Sequence, residues 1–129
     1  MIRWFDPVPM YLRIFKDRMV LKRIDNGVTI ERNADKPFTT ERVIIGNFEA
    51  AVALLNAMTK EVNDHFGPLM RNSRLVIQPM EMCDGGLSVV ERTALLDLGG
   101  YAGAKPVIIE EGAIVLTDLQ VLQRLGGRA

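Results

Sequence analysis

The sequence is poor in the residues on which disulfides, metal sites and charge-driven binding depend. It has one cysteine, Cys83, so no internal disulfide can form, and one histidine, His65, with no second histidine or cysteine at metal-ligand spacing. Lys and Arg total 16, as do Asp and Glu, so the formal net charge is zero. A neutral chain lacks the positive field that draws proteins to nucleic acid or anionic lipid, and we expect no nucleic-acid partner.

Long apolar runs are also missing, and no stretch approaches the roughly 20 residues that a transmembrane helix needs. Residues 1–7 contain neither a long apolar segment nor a small-residue cleavage site, so no secretory signal is expected. One cysteine among seven methionines fits a reducing compartment. These absences predict a cytoplasmic protein without a membrane-spanning segment.

What is present is the composition of an ordinary globular domain. The chain has 129 residues, of which 48% are hydrophobic and 25% charged, values close to the averages for soluble domains. A chain of this length supports one sizeable hydrophobic core. We therefore expect a single domain over residues 1–129.

The first third of the chain has the pattern of an antiparallel three-stranded meander. Residues 10–15, 18–24 and 28–32 are rich in strand-forming side chains. Asn26-Gly27 separates the second and third runs, and this pair favours a type I′ turn because both central residues need positive φ. Residues 43–45 form a further short apolar run, which we interpret as a possible extra strand.

The remainder alternates helices with short apolar strands. Asn47 is a good helix N-cap before a helical pattern that continues to residue 66, and the pairs Ser88/Glu91 and Thr117/Gln120 have capping-box spacing. Strands are predicted at residues 75–78 and 107–109, with helices over 89–98 and up to residue 125. The element order βββαβαβα predicts an α/β fold with a mixed five-stranded sheet, in which the last two strands are parallel.

Three segments resemble the bacterial actin MreB family. Residues 87–95, Leu-Ser-Val-Val-Glu-Arg-Thr-Ala-Leu, are similar to its x-V-E-R-R-A-[IV] helix, and residues 102–111 are similar to the A-G-A-R-E-V-x-L-I-E-E-P segment that follows. Residues 43–49 are similar to the family's G-V-I-A-D-F entry into its first long helix. The resemblance extends over roughly residues 5–125. It implies a ribonuclease-H-like half domain that corresponds to subdomain IA of an actin-like protein.

The family binds ATP and Mg²⁺ between two such lobes, polymerises, and works with membrane partners in cell shape. Its first phosphate loop, D-x-G-T, is matched here to residues 6–10, where Pro7 and Pro9 remove N–H donors. Glu111 corresponds to the family carboxylate that orients the attacking water. Because the second lobe is absent and the loop has lost its glycine, we expect Asp6 and Glu111 to be degenerate, with no cofactor and no enzymatic activity.

Other sites fit the sequence less well. A ribonuclease-H-type two-metal site would use Asp6 and Glu49, but its third carboxylate, Glu81, is displaced by three residues from the strand position required. Cys83 has no basic neighbour that would activate it as a nucleophile. The glycines at residues 85–86 precede a helix without a phosphate-loop signature, so we interpret them as a flexible loop.

The resemblance, which covers one lobe only, favours a non-catalytic domain that acts by protein–protein contact, with cell shape or cytoskeletal assembly as the process that the resemblance implies. The C-terminal segment is rich in apolar residues, and we nominate Leu119, Leu122 and Leu125 on the last helix as interface residues. The partner would be a second copy, as in a homodimer, or an actin-like filament. The alternative function is an ATP-binding protein that completes its cleft by self-association, with Asp6 and Glu111 near phosphate and Mg²⁺.

Overall fold

A computed structural model describes residues 7–63, 73–82 and 85–126. The strands are β1 (Val8–Phe15), β2 (Arg18–Arg23), β3 (Thr29–Asn33), β4 (Ser73–Pro79) and β5 (Ala104–Ile109), and the helices are α1 (Phe48–Val62), α2 (Val89–Tyr101) and α3 (Asp118–Arg124). The strands form one sheet in the order β3-β2-β1-β4-β5. β2 is antiparallel to β1 and β3, whereas β4 is parallel to β1 and β5. The predicted α/β fold and element order are confirmed.

Three local predictions differ from the structure. Residues 43–45 form no strand, because this segment folds back on itself: Thr40 N–H donates to the Val43 carbonyl at 3.0 Å. Gly27 has positive φ but Asn26 does not, so the β2–β3 turn is not type I′. Helix α2 continues three residues beyond the predicted end, through both glycines to Tyr101. The predicted end of α1 at residue 66 lies outside the described residues.

The main core lies between one face of the sheet and helices α1 and α2. Alternate residues of the central strands point to this face because side chains in a strand alternate with period two. The buried cluster consists of Val8, Met10, Leu12, Ile14, Met19, Leu21, Phe38, Ile44, Ala50, Ala51, Leu55, Met58, Val62, Leu75, Ile77, Leu95, Leu98 and Ala104. This face carries most of the hydrophobic stabilisation of the fold.

A smaller core lies on the opposite face of the sheet, under α3. Its buried members are Tyr11, Val76, Leu116, Val121 and Leu125. Among the described elements, one short helix and the loop before it cover this cluster. The second face of the sheet is therefore covered less completely than the first by the part of the chain that the structure describes.

The tight β1–β2 turn holds the long loop that precedes α1. Asp17 has φ of 52°, a left-handed conformation that aspartate tolerates in turns. Its carboxylate accepts hydrogen bonds from Phe38 N–H at 2.7 Å and Thr39 N–H at 2.8 Å. These bonds fix the position of Phe38, whose fully buried ring belongs to the main core.

Within the described ranges, no helix is long and apolar enough to cross a membrane.

Candidate functional site

The carboxyl ends of β1, β4 and β5 meet at one edge of the sheet. Open α/β sheets usually bind ligands at this edge, because loops leave the parallel strands there. Here the edge is formed by the turn at residues 16–17, by the described parts of the segment between β4 and α2, and by residues 110–117. A nucleotide-binding lobe of this topology would need free N–H donors in these loops.

The segment that resembles the family's phosphate loop overlaps the start of β1. β1 begins at Val8, so residues 8–10 are part of the first strand, and the turn that follows the strand is Lys16-Asp17. Asp6 itself lies outside the described residues. A loop after the first strand therefore lies ten residues further along than the resemblance suggested, and it contains no glycine.

Carboxylates of the protein itself accept hydrogen bonds from two backbone N–H groups of this edge. Lys16 N–H, in the β1–β2 turn, donates to the Glu81 carboxylate at 2.7 Å. Leu87 N–H, just before the N-cap of α2, donates to the Glu111 carboxylate at 3.1 Å. Backbone donors that would otherwise be available to a bound anion are thus partnered internally.

Glu111 and its neighbour Glu110 are both engaged in ion pairs. Glu111 pairs with Arg92 in the second turn of α2, and Glu110 pairs with Arg124 at the end of α3, with an N–O distance of 2.8 Å. Each carboxylate therefore connects the end of β5 to a helix. Both carboxylates therefore have a structural role. The Glu111–Arg92 pair is exposed enough for solvent to weaken the attraction between the two charges.

The residues considered for metal binding are dispersed in the described structure. Glu49 is exposed in the first turn of α1, and Glu81 contacts the β1–β2 turn. No group of three histidine, cysteine or acidic side chains within residues 7–63, 73–82 and 85–126 is arranged to hold a metal ion. His65 and Cys83 lie outside those ranges.

Gly85 and Gly86 both have positive φ, which explains why glycine occupies these turn positions.

A buried polar network, which sequence reasoning missed, fixes the loop between β5 and α3. The Tyr11 hydroxyl donates to Gln78 Oε1 and accepts a hydrogen bond from Leu116 N–H at 3.0 Å. Gln78 Nε2 donates to the carbonyls of Gly112 and Ile114, both at 2.9 Å. Burial raises the pKa of the Tyr11 hydroxyl above its ordinary value of 10.0, and the Leu116 N–H partly opposes that rise.

We expect the stability of the protein to fall at alkaline pH through Tyr11. Because its folded-state pKa is raised, the folded chain holds the proton more tightly than the unfolded chain. The contribution of this proton to the free energy of unfolding is complete below the unfolded-state pKa of about 10, and it is lost as pH rises through the folded-state pKa. Tyr11→Phe should cost about 1–3 kcal/mol at neutral pH, since Gln78 and Leu116 each lose a buried partner.

The measurement is urea unfolding of both proteins from about pH 8 to about pH 11, a range that brackets the tyrosine pKa. The difference in unfolding free energy between wild type and Tyr11→Phe should shrink as pH rises. Tyr101 is present in both proteins and cancels in that difference. A difference that stays constant across the range would show that Tyr11 does not titrate as the buried network requires.

The outer face of α2 carries apolar side chains that the described part of the chain leaves uncovered. Val89, Val90 and Tyr101 are 82%, 78% and 70% exposed. They border a shallow groove of about 420 Å³ that is completed by Phe48, Thr93, Ala94 and Asp97. The rings of Phe48 and Tyr101 make an edge-to-face contact, with centroids 5.6 Å apart. Sequence reasoning did not nominate these residues.

The three nominated residues of the α3 segment occupy different environments. Leu119 is exposed, Leu122 is half-buried, and Leu125 is buried in the smaller core with Tyr11 and Val76. Leu125 therefore stabilises the fold rather than contributing to an exposed surface.

No protein-family model matches this chain. Two features of the described structure therefore bear on function. At the carboxyl ends of the parallel strands, carboxylates of the chain itself hold two N–H donors, and on α2 an apolar groove is exposed.

Proposed function

We propose that this protein acts by protein–protein contact, as a non-catalytic actin-like domain related to MreB, and that its contact surface is the outer face of α2. The observation that carries the proposal is the exposure of Val89, Val90 and Tyr101 around a groove on one helix. Single exposed apolar residues are common on protein surfaces, but a contiguous apolar surface of this kind is typical of interaction sites.

Helix α2 is apolar on two sides, which supports this proposal. Leu95, Leu98 and Gly99 are buried toward the sheet. Val90, Ala94 and Tyr101 lie on the other side, spaced with Asp97 at intervals of four, three and four residues. That spacing is the one by which two helices pack along a shared seam. The outer side of α2 therefore presents an apolar stripe that a partner can cover.

A second copy of the chain is the partner that we favour. The seam is centred between Ala94 and Asp97, so a two-fold axis at that point would place Val90 of one copy against Tyr101 of the other. Such an isologous contact uses one surface twice and closes on itself. The small Ala94 side chain leaves space at the centre for the carboxylate of Asp97.

The closed strand edge supports a role without catalysis. Two N–H donors at the edge where such sheets usually bind ligands, those of Lys16 and Leu87, are held by carboxylates of the chain itself. The water-orienting carboxylate that the resemblance implies, Glu111, is paired with Arg92. A role in cell shape or cytoskeletal assembly remains the expectation that the resemblance provides.

Light scattering with and without ATP and Mg²⁺ tests this proposal. We expect a mass of twice 14.4 kDa that nucleotide does not change. Val90→Glu should weaken the dimer by at least about 100-fold, because pairing would bury an unpaired charge. Ile114→Glu is the matched control: it adds the same charge at an equally exposed apolar position outside the groove and should leave the dimer intact.

Other outcomes would redirect the assignment. Assembly that requires ATP would favour the alternative in which two copies complete a nucleotide cleft, and would contradict a non-catalytic role. A monomer indifferent to nucleotide would contradict self-association. A dimer that Val90→Glu leaves intact would place the interface away from α2. Equal loss of the dimer in both variants would show that the effect is not specific to the groove.

A further inference from the structure

Beyond α3, one end of the second face of the sheet carries two arginines and a phenylalanine. Arg13 and Phe15 of β1 and Arg18 of β2 project from the same face as Tyr11, beyond the part that α3 covers. Phe15 belongs to neither core cluster. All three side chains are half-buried, so they are held against the sheet yet remain accessible.

The two arginines flank the phenylalanine ring. The guanidinium carbon of Arg18 lies 4.0 Å from the Phe15 ring centroid, and that of Arg13 lies 6.0 Å from it. An arginine stacked on an aromatic ring keeps its in-plane N–H groups available for carboxylates, and the stacking reduces the entropy lost when one binds. Arg18 pairs with Glu31 at 2.6 Å, whereas Arg13 forms no ion pair within the described part of the chain.

Two exposed apolar residues belong to segments that are bonded to this face of the sheet. Gln78 is the register neighbour of Arg13 on β4, and its amide donates to the backbone carbonyl of Ile114, whose side chain is exposed. Leu119, also exposed, lies in the first turn of α3, next to Asp118, which binds Lys22 of β2 at 2.7 Å. We call Arg13, Phe15, Arg18, Ile114 and Leu119 the basic sheet surface.

We propose that the basic sheet surface binds an acidic segment of a partner protein that also carries apolar side chains. Carboxylates of the segment pair with Arg13 and Arg18, and its apolar residues contact Ile114 and Leu119. Charge complementarity favours this occupant. Glu31, Asp118 and Glu110 each pair with a cation of this face, namely Arg18, Lys22 and Arg124. Arg13 and Arg74 form no ion pair within the described residues, so they give this face its excess of positive charge. The site lies on the opposite face of the sheet from α2, so a dimer formed through α2 leaves it open.

Single-stranded nucleic acid fits this surface less well. Its binding sites on sheets rely on several stacked aromatic side chains and a broad positive field. This surface offers one phenylalanine, and the chain as a whole is neutral. An acidic peptide needs only the two guanidinium groups and the adjacent apolar border.

Titration of the full chain with a fluorescently labelled peptide of alternating glutamate and leucine tests the proposal. We expect saturable binding, with changes in the backbone amide NMR signals of β1 and β2. The double variant Arg13→Gln/Arg18→Gln should bind at least tenfold more weakly. Lys36→Gln/Arg42→Gln removes two exposed cations elsewhere and should bind like wild type, which separates a defined site from net-charge attraction.

Three results would overturn the proposal: no saturable binding by wild type, equal weakening in both double variants, or tighter binding of an oligothymidylate that depends on the same arginines. Val90→Glu distinguishes the two proposals. It should abolish the dimer and leave peptide binding unchanged, whereas Arg13→Gln/Arg18→Gln should leave the dimer unchanged. Failure of either proposal is therefore visible independently of the other.

Discussion

Replacing Arg23 by alanine should destabilise the protein by about 2–5 kcal/mol, the cost typical of truncating a large side chain that is fully buried. The Arg23 side chain is only 2% exposed. Its guanidinium donates to both carboxylate oxygens of Asp25, at 3.0 Å and 2.6 Å, and to the Val62 carbonyl at 3.2 Å. It also donates to Asn63 Oδ1 at 3.3 Å. One side chain thus joins the β2–β3 turn to the end of α1.

The size of this effect follows from what remains after truncation. Alanine leaves a cavity under the sheet, and Asp25 and the last carbonyl of α1 both lose a charged donor at the helix end where positive charge is favourable. The measurement is urea unfolding at neutral pH. Arg32→Ala is the control, because Arg32 pairs with Glu61 in solvent and its loss should cost less than about 1 kcal/mol. Equal costs for the two variants would contradict a buried role for Arg23.

Local signals made most of the architecture predictable. Asn47 accepts from Ala50 N–H as the N-cap of α1, and the capping boxes at Ser88/Glu91 and Thr117/Gln120 are both formed. These motifs act over three residues, so they depend little on the rest of the fold. The strand predictions succeeded for a similar reason, because β4 is buried on both faces and its centre is a continuous apolar run.

The errors arose where distant residues determine the local structure. Residues 43–45 have the composition of a strand, but Ile44 is buried because the loop is held by Phe38, whose carbonyl accepts from Gly46 and Asn47 N–H. Tyr11 and Gln78 form one network although 67 residues separate them. Arg23 has the sequence context of a surface residue at the end of a strand. Neither the Tyr11–Gln78 network nor the burial of Arg23 leaves a pattern in the sequence, because each depends on the packed sheet.

The environments of the nominated interface residues could not be read from composition for a related reason. A high density of apolar residues marked the C-terminal segment, yet Leu125 and Val121 are needed to cover the second face of the sheet. In α2, likewise, only the structure separates the side that faces β5 from the side that faces solvent. Composition identifies how many apolar residues a segment holds, whereas the sheet decides which of them remain exposed.

The two adjacent glycines of α2 should respond in opposite directions to the same substitution. A Cβ atom on Gly99 would lie 2.7 Å from Val107 Cγ2 and 2.8 Å from Val107 Cγ1, so Gly99→Ala must push the helix from β5 or displace a branched side chain. We expect a loss of about 1–3 kcal/mol. A Cβ atom on Gly100 would meet no described atom within 4 Å, and Gly100→Ala should stabilise the helix by about 0.5–1 kcal/mol.

Urea unfolding of the two single variants beside wild type measures both effects, since intrinsic helix propensity changes equally in the pair and cancels in their difference. That difference, about 1.5–4 kcal/mol when the two expected effects are combined, reports the contact between α2 and β5 alone. Stabilisation by both substitutions would mean that α2 does not pack closely on Val107. Because a close approach on the sheet side fixes which residues of α2 face outward, that result would also remove the structural basis for the groove around Val90 and Tyr101.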